Sequence, residues 1–126
     1  MGPHTKLRAY QASYQLGLAV IRATDRWPKR EMFGLASQAR RAASSIAINI
    51  AEGMAKRGRG ELRRFLDISL GSLAEVEVIL CMASDLEFIT PAEASELEQM
   101  RATAGRLTWR LYEANLTGKD RPDTSA

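Results

Sequence analysis

Five cations crowd one glycine-broken stretch of this chain: Lys56, Arg57, Arg59, Arg63 and Arg64, with Gly58 and Gly60 among them. Lysine and arginine gathered in this way attract anions, above all a phosphate backbone whose charge they neutralise. The glycines do not form a nucleotide-binding loop, because Gly58-Arg59-Gly60 follows a helical pattern rather than a strand and lacks the lysine-serine/threonine ending. No aromatic residue interrupts Lys56 to Arg64, which predicts backbone attraction without base stacking or sequence reading. The competing reading is that these cations solvate the break and complement helix C-termini.

Reaction chemistry finds less support. Glu75 and Glu77 lie two residues apart, so on a helix they face different ways and do not form an acid/base pair. Glu77 falls inside an apolar stripe, where an unpaired carboxylate is costly, so Arg41 or another cation is expected to reach it unless it snorkels out at an interface. Gln38, Arg41, Ser45, Asn49 and Glu52 share one polar stripe, and Gln38, Asn49 and Glu52 are read as forming buried hydrogen bonds that fix helix register, in preference to binding a ligand. Ser44, Ser45 and Ser72 have no histidine or lysine base within predictable reach and are read as close-packing residues. The single histidine, His4, lies outside every predicted helix, which removes the basis for a zinc or di-iron site. The single cysteine, Cys81, is expected to be a packed thiol. No catalytic, cofactor-binding or metal-ligating residue is assigned, and the chain is expected to be non-enzymatic.

Four helices must position these groups, at about 6–26, 35–54, 60–87 and 91–117, with mobile tails at 1–5 and 118–126. In the first, Leu7, Tyr10, Tyr14, Leu18 and Ile21 recur at three- and four-residue steps and predict the main core face. Leu16, Ala19, Val20 and Ala23 make a second apolar face. Trp27-Pro28 stops this helix, and Trp27, Met32 and Phe33 are expected to plug the end of the bundle.

The second helix places Leu35, Ala39, Ala42, Ala43, Ile46, Ile50 and Gly53 on a core stripe. Its third face, Ser37, Ser44, Ile48, Ala51 and Ala55, is small and mostly uncharged, and predicts burial against another subunit. The third helix carries Leu62, Phe65, Leu66, Ser69, Leu70, Leu73, Val76, Leu80 and Ala83 on its main face, and Gly71 is expected to mark a close helix contact. Thr90-Pro91-Ala92-Glu93 reads as a capping box that opens the fourth helix, whose seam is Leu97, Met100, Ala104, Leu107, Leu111 and Ala114.

The fold class is therefore all-α: a single domain over 1–126, an antiparallel up-down-up-down four-helix bundle assembling as a ring-shaped homo-oligomer. No apolar run approaches the roughly 18 residues of a membrane span. Met1 to Leu7 lacks a secretory apolar region, so a cytoplasmic location is expected. The net charge of +3 alone does not identify a nucleic-acid partner, but its distribution is uneven. In such a bundle the end holding both termini and the break at 55–60 has eleven cations against six carboxylates, leaving +5, while the other half has seven against nine, leaving −2. Side-by-side subunits would gather the positive ends on one face.

Trp27-Pro-Lys-x-Glu-x-Phe-Gly-Leu35, Gln38-x-Arg-Arg-Ala42, Ser45-Ile-x-x-Asn-Ile-Ala-Glu-Gly53 and Phe65-Leu-x-x-Ser-x-Gly-Ser-Leu-x-Glu75 resemble the four-helix-bundle family named for proteins encoded in 23S rRNA intervening sequences. The resemblance implies a cytoplasmic bacterial protein, a ring-shaped homopentamer and no established enzymatic activity. That family is similar in fold to the accessory variability proteins of diversity-generating retroelements, which are basic pentamers that bind nucleic acid and a reverse transcriptase. Members often carry a serine near the start of the third helix, where this chain has Gly58-Arg59-Gly60. The expected partners are a second copy of the chain and RNA or DNA, with no cofactor and no membrane; the alternative is a scaffold whose inter-bundle grooves bind a partner protein.

Overall fold

The protein is described here from a computed structural model, over residues 2–116. Four helices account for most of it: α1 (Arg8–Thr24), α2 (Leu35–Ala55), α3 (Arg59–Asp85) and α4 (Pro91–Ala114). No strand occurs among the described residues, and no described helix is long and apolar enough to cross a membrane. The predicted elements are all present, with ends displaced by up to three residues. One tail differs: Pro3–Lys6 forms a 3-10 turn, and the His4 ring packs edge-on against Tyr10 at 4.7 Å. Residues 118–126 lie outside the described residues.

Contacts between the helices run in opposite numerical order. Along α2 and α3, Gly53 lies against Leu62 and Phe65, the Ser69 hydroxyl donates to the Ile46 carbonyl at 2.8 Å, and the Ser72 hydroxyl to Ser45 Oγ at 2.9 Å. Along α1 and α2, Gly17 meets Ala43 and Arg40 bonds Thr24 at 3.4 Å. The core of this four-helix bundle is Leu16, Val20, Ala39, Ala43, Ile46, Ile50, Leu66, Leu73, Val76, Leu80, Ala83 and Ala104. The predicted stripes of α2 and α3 are largely buried, because in each a row of apolar residues at helical spacing faces a matching row.

Two connections are set by backbone chemistry. The α3 C-terminus closes in a Schellman arrangement: Phe88 N–H donates to the Ala83 carbonyl at 2.8 Å and Glu87 N–H to Ser84 at 3.0 Å, with Glu87 at φ 63°. Thr90 then opens α4 through the predicted capping box, its hydroxyl accepting from Glu93 N–H at 3.1 Å. Arg26 also pairs with Glu93. The Thr90 N–H bond and Arg26 together hold the Glu93 carboxyl below its ordinary value.

Several expectations are corrected. The core face of α1 is the one carrying Leu16, Val20 and Ala23, together with Ala9, Ser13 and Gly17; Tyr14, placed on the main stripe by spacing, is 46% exposed. Close packing explains the exchange. A Cβ at Gly17 would sit 3.2 Å from the Ala43 carbonyl oxygen, so the small-residue row fits against α2 and the tyrosine row does not. In the connector, Trp27 is buried and packs on Phe88 at 5.7 Å, but Met32 is exposed and Phe33 is 93% exposed, because Lys29–Glu31 winds into a 3-10 turn that lifts them from the bundle end. Gly71 meets nothing within 4 Å in the chain, so it is no contact between these helices. Cys81 is exposed, since Leu80 and Ala83 occupy the inward positions around it.

Candidate nucleic-acid interface and apolar groove

The chain reverses between α2 and α3 over Lys56, Arg57 and Gly58. Gly58 has φ 85°, a left-handed conformation that side chains rarely adopt, and it occupies the cap of α3 without a capping side chain. Relative to serine at a cap, glycine costs only a few tenths of a kcal/mol, so Gly58 is compatible with the helix start. The consequence is a tight turn carrying cations on both sides. Lys56, Arg57 and Arg59 are exposed, and none of them forms an ion pair among the described residues. Arg64 is exposed, bonds Glu61 at 3.2 Å, and lays its guanidinium 4.5 Å above the Phe65 ring. The Lys56 ammonium lies 5.6 Å from the same ring. Arg63 is half-buried and has a partner of its own.

Beside this turn a cleft of about 340 Å³ opens between α3 and α4, lined by Gly60, Arg63, Arg64, Asp67 and Tyr112. Trp109, one helical turn before Tyr112, stacks on it with centroids 5.4 Å apart and planes 22° apart, and 44% of Trp109 is exposed. Spacing along the chain missed this pair. Its signal was two aromatics three residues apart and off the α4 seam; the packing of α4 on α3 brings Tyr112 to the arginines, and Trp109 lies on Tyr112.

The predicted polar network does not form as expected. Of its stripe on α2, Asn49 and Ser45 bond, Asn49 donating to the Ser45 carbonyl at 2.8 Å and to Ser45 Oγ at 2.9 Å. Gln38, Arg41 and Glu52 are exposed and make no side-chain hydrogen bond among the described residues, because α2 and α3 meet through Ser45, Ser69 and Ser72, one step nearer the core. Glu75 is likewise exposed. Glu77 also lies outside the buried face, and its partner is Arg101 of α4, at 2.6 Å, rather than Arg41. Arg101 bonds Glu98 as well, at 2.6 and 2.8 Å, and its side chain is only 16% exposed. This bond from Arg101 holds the Glu98 carboxyl below its ordinary value, and Glu98 together with Glu77 and Cys81 raises the Arg101 guanidinium. No group of three or more histidine, cysteine or carboxylate side chains suited to a metal ion occurs among the described residues.

A second concavity has the opposite character. Between α1 and α2 a groove of about 270 Å³ is lined by Tyr10, Ser13, Tyr14, Gly17, Leu18, Ile21, Ala43, Ser44, Ala47, Ile48 and Ala51. It has no charged lining residue. It unites the tyrosine row displaced from the α1 core with the small-residue face of α2, and Ile48 in it is 51% exposed.

The 23S rRNA-intervening sequence protein family matches residues 5–109 of this chain, a span that contains the basic turn, the groove and all of α2 and α3. A comparison with curated proteins finds no match.

Proposed function

The chain belongs to the 23S rRNA-intervening sequence protein family, and from that premise we propose that it is a non-enzymatic, homopentameric accessory protein of the bacterial cytoplasm that binds nucleic acid through a basic face. The observation that carries the proposal is the α2–α3 turn, where Lys56, Arg57 and Arg59 are exposed with no carboxylate to neutralise them among the described residues. Around the end of the bundle that holds this turn, nine cations face four carboxylates among the described residues, a net of +5. Neighbouring helices run up and down in alternation, so parallel subunits present their turns on one surface. Phosphate neutralisation by that surface is the binding mechanism, and Arg63 and Arg64 flank it.

Assembly is supported by the α1–α2 groove, an apolar surface without charge that a lone chain would leave in water. A protein scaffold in which that groove seats a partner helix is the second reading, favoured by the same groove.

The test is fluorescence anisotropy with mixed-sequence RNA and duplex DNA at rising salt. Affinity is expected to fall linearly on logarithmic axes, and R57E/R59E is expected to weaken it at least about tenfold, since each side chain reverses one phosphate contact. Both residues are exposed, so circular dichroism should be unchanged. Affinity unaffected by salt and by both charge reversals would overturn the basic-face reading and leave the scaffold.

A further inference from the structure

We propose that the α3–α4 cleft is a base-stacking site for single-stranded nucleic acid, with Trp109 and Tyr112 as the stacking platform. It deepens, and rests on, the nucleic-acid function proposed above. Three observations point to it.

First, Trp109 and Tyr112 already form the beginning of a stack, nearly parallel at 22° with centroids 5.4 Å apart. Trp109 keeps 44% of its surface in water, although a large aromatic ring gains most from being covered. An unpaired base is a flat ring that covers such a surface whatever its identity.

Second, the cleft beside the platform is polar and charged. Arg63 and Arg64 line it together with Asp67, and the first residue of α3 is Arg59. The Arg64 guanidinium lies 4.5 Å from the centre of the Phe65 ring, a cation–π contact that orders it. A strand whose base lies on the aromatic pair reaches the arginines across Tyr112, which lines the cleft with them. Asp67 repels a phosphate but accepts hydrogen bonds from a base's amino group, so the cleft favours a base there. A partner helix would instead meet three charged side chains, a poor fit to an apolar helix face; the uncharged α1–α2 groove is the surface suited to that.

Third, Gly60 leaves the wall of the cleft open: a Cβ there would meet only the tip of Arg63, at 3.7 Å. A duplex hides its base faces in its own stack, and only an unpaired strand presents them.

The experiment uses the full chain with a 12-nucleotide single strand of mixed sequence, as RNA and as DNA, and the corresponding duplex. The chain has two tryptophans, and Trp27 is buried, so water-exposed emission reports Trp109. Single strands are expected to quench it and the duplex to leave it nearly unchanged. W109A is expected to weaken single-strand affinity about tenfold, the lower part of the range for one stacked base, with duplex affinity unchanged and W109F retaining most single-strand binding. If the wild-type chain binds both forms and W109A weakens neither, stacking is overturned while the basic face stands. If it binds neither form, both proposals fall. If W109A instead changes the mass of the assembly and no oligonucleotide quenches Trp109, the platform is a subunit contact and the stacking site is overturned.

Discussion

The pairs α1–α2 and α3–α4 are built from the same kind of element and end as opposite surfaces. Where α1 meets α2, glycine and alanine bring the backbones together, and the larger apolar residues are displaced outward to line an uncharged groove. Where α3 meets α4, the clamp of Arg101 between Glu77 and Glu98 accompanies a cleft lined by arginines, an aspartate and a tyrosine. The difference teaches that side-chain size at a helix contact determines what the outer flank must carry. Small residues inside leave apolar bulk outside at α1–α2; at α3–α4 the charged clamp and the basic cleft occupy different levels of the same helix pair.

The sharpest way to break this comparison is to charge the groove. Ile48→Glu is expected to dissociate the proposed assembly, because an unpaired carboxylate held in an apolar interface costs several kcal/mol. Light scattering should then give the single-chain mass of 13.9 kDa, with helix content retained. An unchanged mass would show that the groove is not the subunit contact.

A smaller effect is expected from Gly17→Ala. Its added Cβ would lie 3.2 Å from the Ala43 carbonyl oxygen, backbone that cannot swing aside, so overpacking of about 1–3 kcal/mol should outweigh the roughly 1 kcal/mol gained in helix propensity. Thermal unfolding should show a lower midpoint. A midpoint that rises would mean that the two helices are not held at their closest approach by small residues.

The smallest effect belongs to the charged clamp. Glu98 is held below its ordinary carboxyl value of 4.5 by the hydrogen bond from Arg101. A depressed folded value means that the contribution is complete above the unfolded value and is lost as pH falls through the folded one. Stability should therefore decline as pH drops below about 4.5, and Glu98→Gln should remove part of that decline, by less than about 1 kcal/mol because the pair is partly solvated. Denaturant midpoints of both proteins at pH 7 and pH 3 provide the check. Equal acid sensitivity in the two would remove Glu98 from the account.

Much of the fold was legible from residue spacing, and the reasons are local. The α2 stripe from Leu35 to Gly53, the α3 stripe from Leu62 to Ala83, and the Thr90–Glu93 capping box each depend on neighbours within one or two helical turns. The basic turn was legible for the same reason, since Gly58 interrupts the helix within the five cations themselves. Spacing failed where two candidate faces lay on one helix. In α1 the tyrosine row has the larger residues and better periodicity, yet the smaller row is buried, because its fit depends on Ala43, which is remote in the chain.

The sequence by itself determined four helices, the capping box that opens α4, a cationic break after α2 and a small-residue face on α2, all of which follow from backbone propensity, side-chain periodicity and charge. Only the tertiary structure decided that Tyr14 lies outward, that Glu77 meets Arg101, and that Tyr112, with Trp109 stacked on it, stands beside Arg63 and Arg64. Those outcomes depend on how closely one helix can approach another, which is set by side-chain volumes on both partners at once and so has no signature in either stretch alone.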